Sequence, residues 1–296
     1  MTYAGTEEDL RSVEAALARS RRYAAIAPVT VRRLAARALL SAQGNVPEAI
    51  KRTKRGLHEI YGAYLPGTPP HYERMLAELR AARASGDEQA VRAALSSALA
   101  VHASTRERLP HLEAFYGEIF SRLDHPATIR DLACGFNPLA QPWMALAGPV
   151  TYLASDIDTR LAGFIGQALT TLGTDHQVEV ADLIDQRVTD PADLTLLMKT
   201  VPCLERQQPG AGWDLIEAVN SPAVVVTFPT KSLGHRPKGM FQTYSAAFEA
   251  QLAQRAWPAE RLEIPGELIY LVRKPVHGGK GHGGKGHGGK GHGGKQ

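Results

Sequence analysis

Cysteine is nearly absent: Cys134 and Cys203 are the only two, far apart and in no CxxC or CxxH spacing. That excludes a disulfide framework and a cysteine-built zinc site, and no metal is expected. No uninterrupted apolar stretch approaches the roughly 18 residues that cross a bilayer. The opening MTYAGTEEDLRSVEA carries acids where a signal peptide carries bases. A cytoplasmic protein without a membrane partner is the expectation. Acids are also missing locally. Between Arg19 and Arg55 there are ten Lys or Arg and one acid, Glu48.

That excess suits a polyanionic partner, and a solvated helix face is the competing reading of any charge run. The formal net charge is only +4, and the tail from His277 to Gln296 supplies four lysines and no acid, so the remainder is neutral. Distribution matters more than the total. The tail repeats His-Gly-Gly-Lys and cannot bury a core, so residues 277–296 read as a disordered extension.

What is present divides the chain in two, as its 296 residues allow. Residues 1–125 are rich in Ala, Leu, Arg and Glu, with apolar residues at helical spacing such as Val31, Leu34, Ala35, Ala38 and Leu39. Breaks at Gly44 to Pro47, Leu65 to Pro70 and Ser85 to Asp87 predict five or six helices and no strand. Across 126–276 the pattern becomes β-type runs alternating with helical ones: TIRDLA, VTYLAS, HQVEVAD, DLTLLMK and AVVVTF. Such alternation predicts a parallel sheet with crossover helices. RLEI, a Pro265-Gly266 turn and ELIYLVR then close it with an antiparallel hairpin. The predicted fold class is therefore α/β, the class I methyltransferase variant of the Rossmann-like fold, behind an all-helical N-terminal domain.

The first strand runs into Asp131-Leu132-Ala133-Cys134-Gly135. Ligands of open α/β sheets bind at such strand ends, where small residues admit a ligand and a helix N-terminus favours anions. Asp156 ends the second strand, 21 residues after Gly135, and can accept from both ribose hydroxyls. Asp182 ends the third, placed to accept an adenine amino group with Leu183 beside it. Asp158 has a weaker claim. A helix N-cap competes as the reading of each aspartate. An NAD-binding domain also wants an acid after its second strand, but it prefers GxGxxG, and those glycines are largely missing. The terminal hairpin favours S-adenosyl-L-methionine.

At this point the chain resembles a known family: the aminoglycoside-resistance methyltransferases acting on guanine N(7) in the decoding site of 16S ribosomal RNA, typical of actinomycete producers of gentamicin- and kanamycin-type antibiotics. The resemblance runs from Ser20 to Lys274 through SRRY, TVRRLA, IKRTKRGLHEIYGAYLP, HASTRERLPHL, RDLACGFNPLA, ASDID, LMKTVPCLE, VVVTFPTKSLG, KGMFQ and ELIY. It implies that residues 1–125 help dock on the 30S subunit. It assigns Arg108 to the cofactor carboxylate, with Ala133, Gly135, Asp156, Asp182 and Leu183 lining the pocket. Ala133 departs from the general class I pattern, in which Gly is usual. Lys199 and Glu205 are placed near the target base, with Arg236, Met240 and Glu267 close by. A monomer suffices.

Guanine N(7) carries an in-plane lone pair and no proton, so attack on a sulfonium methyl needs no general base and catalysis is mainly positioning. A carboxylate near the developing positive charge would help, and Glu205 is the expected one, with capping or pairing to Arg206 as its structural alternative. Lys199 closes an apolar strand and is expected to hold a phosphate or a guanine oxygen, against the alternative of a snorkelling surface lysine. The base would be flipped or locally distorted. Arg21, Arg22, Arg32, Lys54, Arg55, Lys231 and Arg236 would supply phosphate contacts that position without reading sequence. His58, Tyr61, Tyr64, His71, Trp143 and Trp213 read chiefly as packing residues, and Cys134 as a small apolar filler. Two other functions compete: an adenine N(1) methyltransferase of the same rRNA region, and a non-catalytic RNA-binding protein.

Overall fold

The computed structural model describes residues 5–186, 188–230 and 239–275, with side chains in the last stretch from 245 onward. Three short helices come first, α1 (Glu7–Ala18), α2 (Pro28–Ser41) and α3 (Val46–Leu57). Each start has a local cause. Thr6 and Asp9 form a reciprocal capping box at α1, Pro28 opens α2, and Asn45 accepts from the Glu48 amide at 3.0 Å to open α3. A π-helical turn (His58–Gly62) follows, then α4 (Tyr72–Ala84), α5 (Glu88–Leu99), α6 (Ala103–Arg108) and α7 (Leu112–Phe120). Among the described residues of 1–125 there are seven α-helices and no strand. That is one more than the upper sequence estimate of six, and Pro110 accounts for it, since it sits in a single 3-10 turn that separates α6 from α7.

Seven strands form one sheet: β1 (Thr128–Leu132), β2 (Thr151–Asp156), β3 (Asp175–Val180), β4 (Leu194–Met198), β5 (Ala223–Pro229), β6 (Ala259–Ile264) and β7 (Glu267–Arg273). Their order is β3-β2-β1-β4-β5-β7-β6, parallel through β5, with β7 antiparallel to β5 and β6 antiparallel to β7. This is the class I methyltransferase arrangement expected from the alternating pattern. Helices α8 (Thr159–Leu172), α9 (Val201–Gln207), α10 (Ala211–Ala218) and α11 (Gly239–Gln254) complete it. No helix among the described residues is long and apolar enough to cross a membrane. The tail from 277 onward lies outside the described residues.

The helices preceding β1 do not share one core. Leu10, Val13, Leu17, Leu34, Leu39 and Leu57 bury one another within α1–α3. Helices α4, α5 and α7 instead place Leu76, Leu95, Phe115 and Ile119 in a single cluster with Ile129, Tyr152, Ile165 and Leu196 of the sheet unit. The α1–α3 lobe is joined to the sheet by backbone: Ala27 N donates to Ile157 O at 2.8 Å, and Thr159 N to Ala25 O at 2.9 Å.

This division predicts two distinct responses to cavity formation. Leu95→Ala should destabilise the sheet unit by about 2–5 kcal/mol, and Leu39→Ala should cost a similar amount confined to α1–α3. Hydrogen exchange of the β1 and β2 amides checks this: they should accelerate in the first variant and stay protected in the second.

Candidate active site

The strand tips build the site. After Leu132 the chain turns through Ala133 (φ 52°) and Gly135 (φ 53°), both in the left-handed region. A Cβ at Gly135 would lie 3.1 Å from the His102 ring, so glycine answers both the backbone and the crowding there. Ala133 holds the same conformation without that freedom, at a cost of about 1 kcal/mol or more. The Gly135 amide donates to Asp156 Oδ2 at 3.0 Å and the Asp158 amide to Oδ1 at 3.1 Å. Asp156 is therefore held by the turn. It is Asp158 that caps α8, accepting from the Arg160 and Leu161 amides, and Asp158 also takes a hydrogen bond from the Tyr61 hydroxyl. Burial drives the Asp156 carboxyl up to about 6 against those two amide donors. Asp131, fully buried below it, is pushed up to about 7 by burial, against hydrogen bonds from Asn137 and Tyr152.

Asp182 follows β3 and is buried, with Oδ1 accepting the Ile184 amide at 3.0 Å. Its Oδ2 accepts from Arg33 of α2, Nη2 at 2.8 Å and Nε at 3.2 Å. The same Arg33 Nη2 donates to Gln207 Oε1 at 2.9 Å. Asp156, Asp182, Leu183, Ala133, Gly135 and Arg108 line one cleft. Two buried polar atoms of its lining, Thr30 Oγ1 and His102 Nδ1, have no partner among the described residues. Buried polar groups are normally paired, so the cleft fits a ligand that brings hydrogen bonds of its own.

A buried charge cluster forms the far wall. Arg108 grips Glu267 through two hydrogen bonds, Nε to Oε2 at 2.8 Å and Nη2 to Oε1 at 2.6 Å, with side chains 2% and 3% exposed. Lys199, at φ 60° just past β4, extends Nζ to within 2.5 Å of Glu107 and 3.5 Å of Glu267. Its amide donates to Thr227 Oγ1 at 2.9 Å. Burial pulls the Glu267 carboxyl upward, but Arg108, Lys199 and a hydrogen bond from Thr227 hold it below its ordinary value. His102 stacks between Tyr64 and Phe136, at 5.6 and 5.7 Å between centroids, and burial beside Arg108 and Lys199 pushes it down to about 3. The imidazole is neutral.

Several expectations change. Glu205 does not line the cleft: its carboxylate accepts from the Gly210 amide at 2.8 Å and the Gly212 amide at 3.0 Å, capping α10. Gly212 makes room, since a Cβ there would lie 2.9 Å from Glu205 Oε1. Glu267 is buried in the Arg108 cluster, away from any solvent-facing RNA surface. Arg22 donates to the Gly62 and Leu65 carbonyls, and Arg32 pairs with Glu7 and Glu14, so both are engaged within the lobe. Arg21, Lys54 and Arg55 are exposed. Lys231 and Arg236 lie outside the described residues, as does the Met240 side chain. Trp213 packs against the sheet unit, Tyr61 packs in the α1–α3 core but also lines the cleft, and Tyr64 lines the cleft and contacts Cys203 Sγ at 2.9 Å. Thr30, Arg33, His102, Glu107, Asn137 and Gln207 were not singled out from sequence. Each is polar on a helix or turn whose orientation toward the strand tips has no local signature.

A family model described as Ribosomal RNA methyltransferase (FmrO) matches residues 19–271. The chain is 58% identical over 274 residues to the 16S rRNA (guanine(1405)-N(7))-methyltransferase of Micromonospora echinospora, covering 93% of this chain and 100% of that protein. It is 34% identical over 258 residues to the protein of the same name from Serratia marcescens, covering 86% and 94%. Among solved structures it is similar to the 16S rRNA methyltransferase RmtF in complex with S-adenosyl-L-homocysteine, with TM-score 0.76 and 31% identity over 92% of this chain and 100% of that one. With helical lobe, strand-tip acids and sheet all inside these matches, the chain belongs to the ribosomal RNA methyltransferase (FmrO) family.

Proposed function

We propose that this chain is the 16S rRNA (guanine(1405)-N(7))-methyltransferase of its relatives' name, using S-adenosyl-L-methionine as donor on the 30S subunit in the cytoplasm. Resistance to aminoglycosides such as kanamycin and gentamicin follows. The observation that carries it is the cleft itself: Asp156 and Asp182 at successive strand tips, with Arg108 opposite. When bound, the cofactor supplies an electrophilic methyl. Asp156 would accept from the ribose hydroxyls, Asp182 from the adenine amine, and Arg108 would face the carboxylate. The acceptor nitrogen carries no proton, so the protein removes none and the rate comes from positioning. Glu205 is held by the α10 amides and takes no part. Lys199, locked between Glu107 and Glu267, is the cation at the β4 tip, where substrate-facing groups of this fold lie. Residues 1–125 supply the docking part and 126–276 the transferase part, and one copy of the chain suffices.

Mapping the modified nucleotide tests the reading. Primer extension on 30S subunits after incubation with enzyme and cofactor, then borohydride and aniline, should stop at a 7-methylguanine. A stop at 1-methyladenine without strand scission would replace the proposal with its adenine-directed rival, and an unmodified subunit with the non-catalytic one.

The Asp156 environment sets a pH dependence. The ionised carboxylate is the better acceptor, and its buried form takes a proton near pH 6. Affinity for S-adenosylhomocysteine should therefore hold above that value and fall up to about tenfold per unit below it. Asp156→Asn should bind roughly 10- to 100-fold more weakly at pH 8 and lose the acid limb. Calorimetry across pH reads both.

Lys199→Ala should keep cofactor affinity within a few-fold and slow methyl transfer by roughly 100-fold or more. Tritium transfer to 30S beside calorimetry separates the two, and a matching loss of affinity would move Lys199 to the cofactor side. Charge reversal at Lys54 and Arg55 should weaken subunit binding and lower its salt slope by about one to two, whereas reversal of the internally paired Arg32 should alter that slope less. Filter binding across salt concentrations compares them.

A further inference from the structure

Helix α2 belongs to the α1–α3 lobe by its packing, yet two of its polar side chains reach the cofactor cleft. Thr30 is fully buried there and its hydroxyl has no hydrogen-bond partner among the described residues. One turn later, Arg33 holds Asp182 through Nε and Nη2 on a single oxygen and ties Gln207 to the same guanidinium. Asp182 Oδ1 is already directed by the Ile184 amide. With both oxygens fixed, the carboxylate keeps one orientation and free lone-pair capacity toward the cleft. Other attachments of the lobe include Ile26 bridging Asp158, Ala25 and Ala27 bonding Thr159 and Ile157, and Arg37 reaching the Gln207 carbonyl. Ile157 and Asp158 directly follow Asp156, and Gln207 shares the Arg33 guanidinium with Asp182.

We propose that Thr30 and Arg33 make helix α2 a wall of the cofactor site, Arg33 as the positioning residue for Asp182 and Thr30 as a direct hydrogen-bonding partner, so that the bound nucleoside clamps the α1–α3 lobe to the sheet. The inference rests on the reading of Asp182 as the adenine-side acceptor. Its consequence is reciprocal. If occupancy steadies the lobe, then whatever grips the lobe strengthens cofactor binding by the same factor.

The two residues separate stability from binding. Thr30→Val removes a buried hydroxyl that has no partner in the free protein, so Tm should stay level or rise. Affinity for S-adenosylhomocysteine should nonetheless drop several-fold. Arg33→Gln removes the counter-charge of a buried carboxylate, which lowers stability as well. Its diagnostic is base selectivity. S-inosylhomocysteine presents an oxygen where adenine presents an amine, and the fixed acceptor oxygens of Asp182 reject it. The full-length protein should prefer S-adenosylhomocysteine by roughly tenfold or more, by the loss of one charged hydrogen bond. Arg33→Gln should bring that ratio near one, and Arg33→Lys should restore part of it. Hydrogen exchange supplies the second readout: S-adenosylhomocysteine should protect the α2 amides in the wild type and not in Arg33→Gln.

The outcomes are distinct. No affinity of the wild type for S-adenosylhomocysteine sinks the cofactor reading itself. Normal affinity, with both variants within twofold of wild type and an unchanged adenine-to-hypoxanthine ratio, leaves that reading intact and overturns the role of α2. Unaltered α2 exchange on binding overturns the clamp alone.

Discussion

A guanidinium and a carboxylate removed together from water set the terms for the rest of this site. Desolvation costs several kcal/mol per ion, and the attraction between Arg108 and Glu267 offsets it because the geometry is bidentate and further partners surround the pair. Asn137 Oδ1 accepts from Arg108 at 3.1 Å, Phe115 lies 4.9 Å beneath the guanidinium, and Thr227 and Lys199 complete the carboxylate. A hydrophobic pair of equal volume would stabilise the fold as well or better. The cluster is therefore explained by what it positions: α6 against β7, and a lysine at the tip of β4.

Backbone strain marks the same place. Ala133 and Lys199 both take positive φ, and both sit directly past parallel strands that bracket the cleft, β1 and β4. Conformations of that kind persist where the surroundings over-determine them. Here Thr227 holds the Lys199 amide and Ser155 O accepts the Cys134 amide at 2.9 Å, so the tips cannot relax without losing partners. Rigid tips suit a reaction whose rate rests on alignment rather than proton transfer.

Much of this was legible in the sequence. Parallel strands buried in a sheet read as largely apolar runs, and four such runs with the exposed edge strand β3, broken by amphipathic segments, leave few other folds. Asp156 and Asp182 stood out because a strand end is a defined place. Less was legible where position depends on tertiary packing. Helices α4 and α5 carry an Ala-, Leu- and Arg-containing composition like that of α1–α3, and only the cluster that joins Leu76 and Leu95 to Ile129 shows them packed on the sheet. Glu205 illustrates the limit: a carboxylate near the right motif is captured by two glycine amides five and seven residues on, a contact set by the α9–α10 turn.

The basic segment shows how composition overstates a surface. Ten cations between Arg19 and Arg55 suggest a broad electropositive face. In the fold, Arg22 stitches the π-helical turn, Arg32 and Arg52 pair with acids, and Arg33 and Arg37 reach Asp182 and Gln207. Five of the ten are thus engaged within the fold, Arg33 and Arg37 tying the lobe to Asp182 and Gln207 of the cleft lining, while Arg21, Lys54 and Arg55 are exposed. Exposed charges act over roughly a Debye length and fade with salt, while the partly buried pairs are screened far less. Added salt should therefore shorten the reach of the exposed cations well before it loosens the lobe from its own sheet.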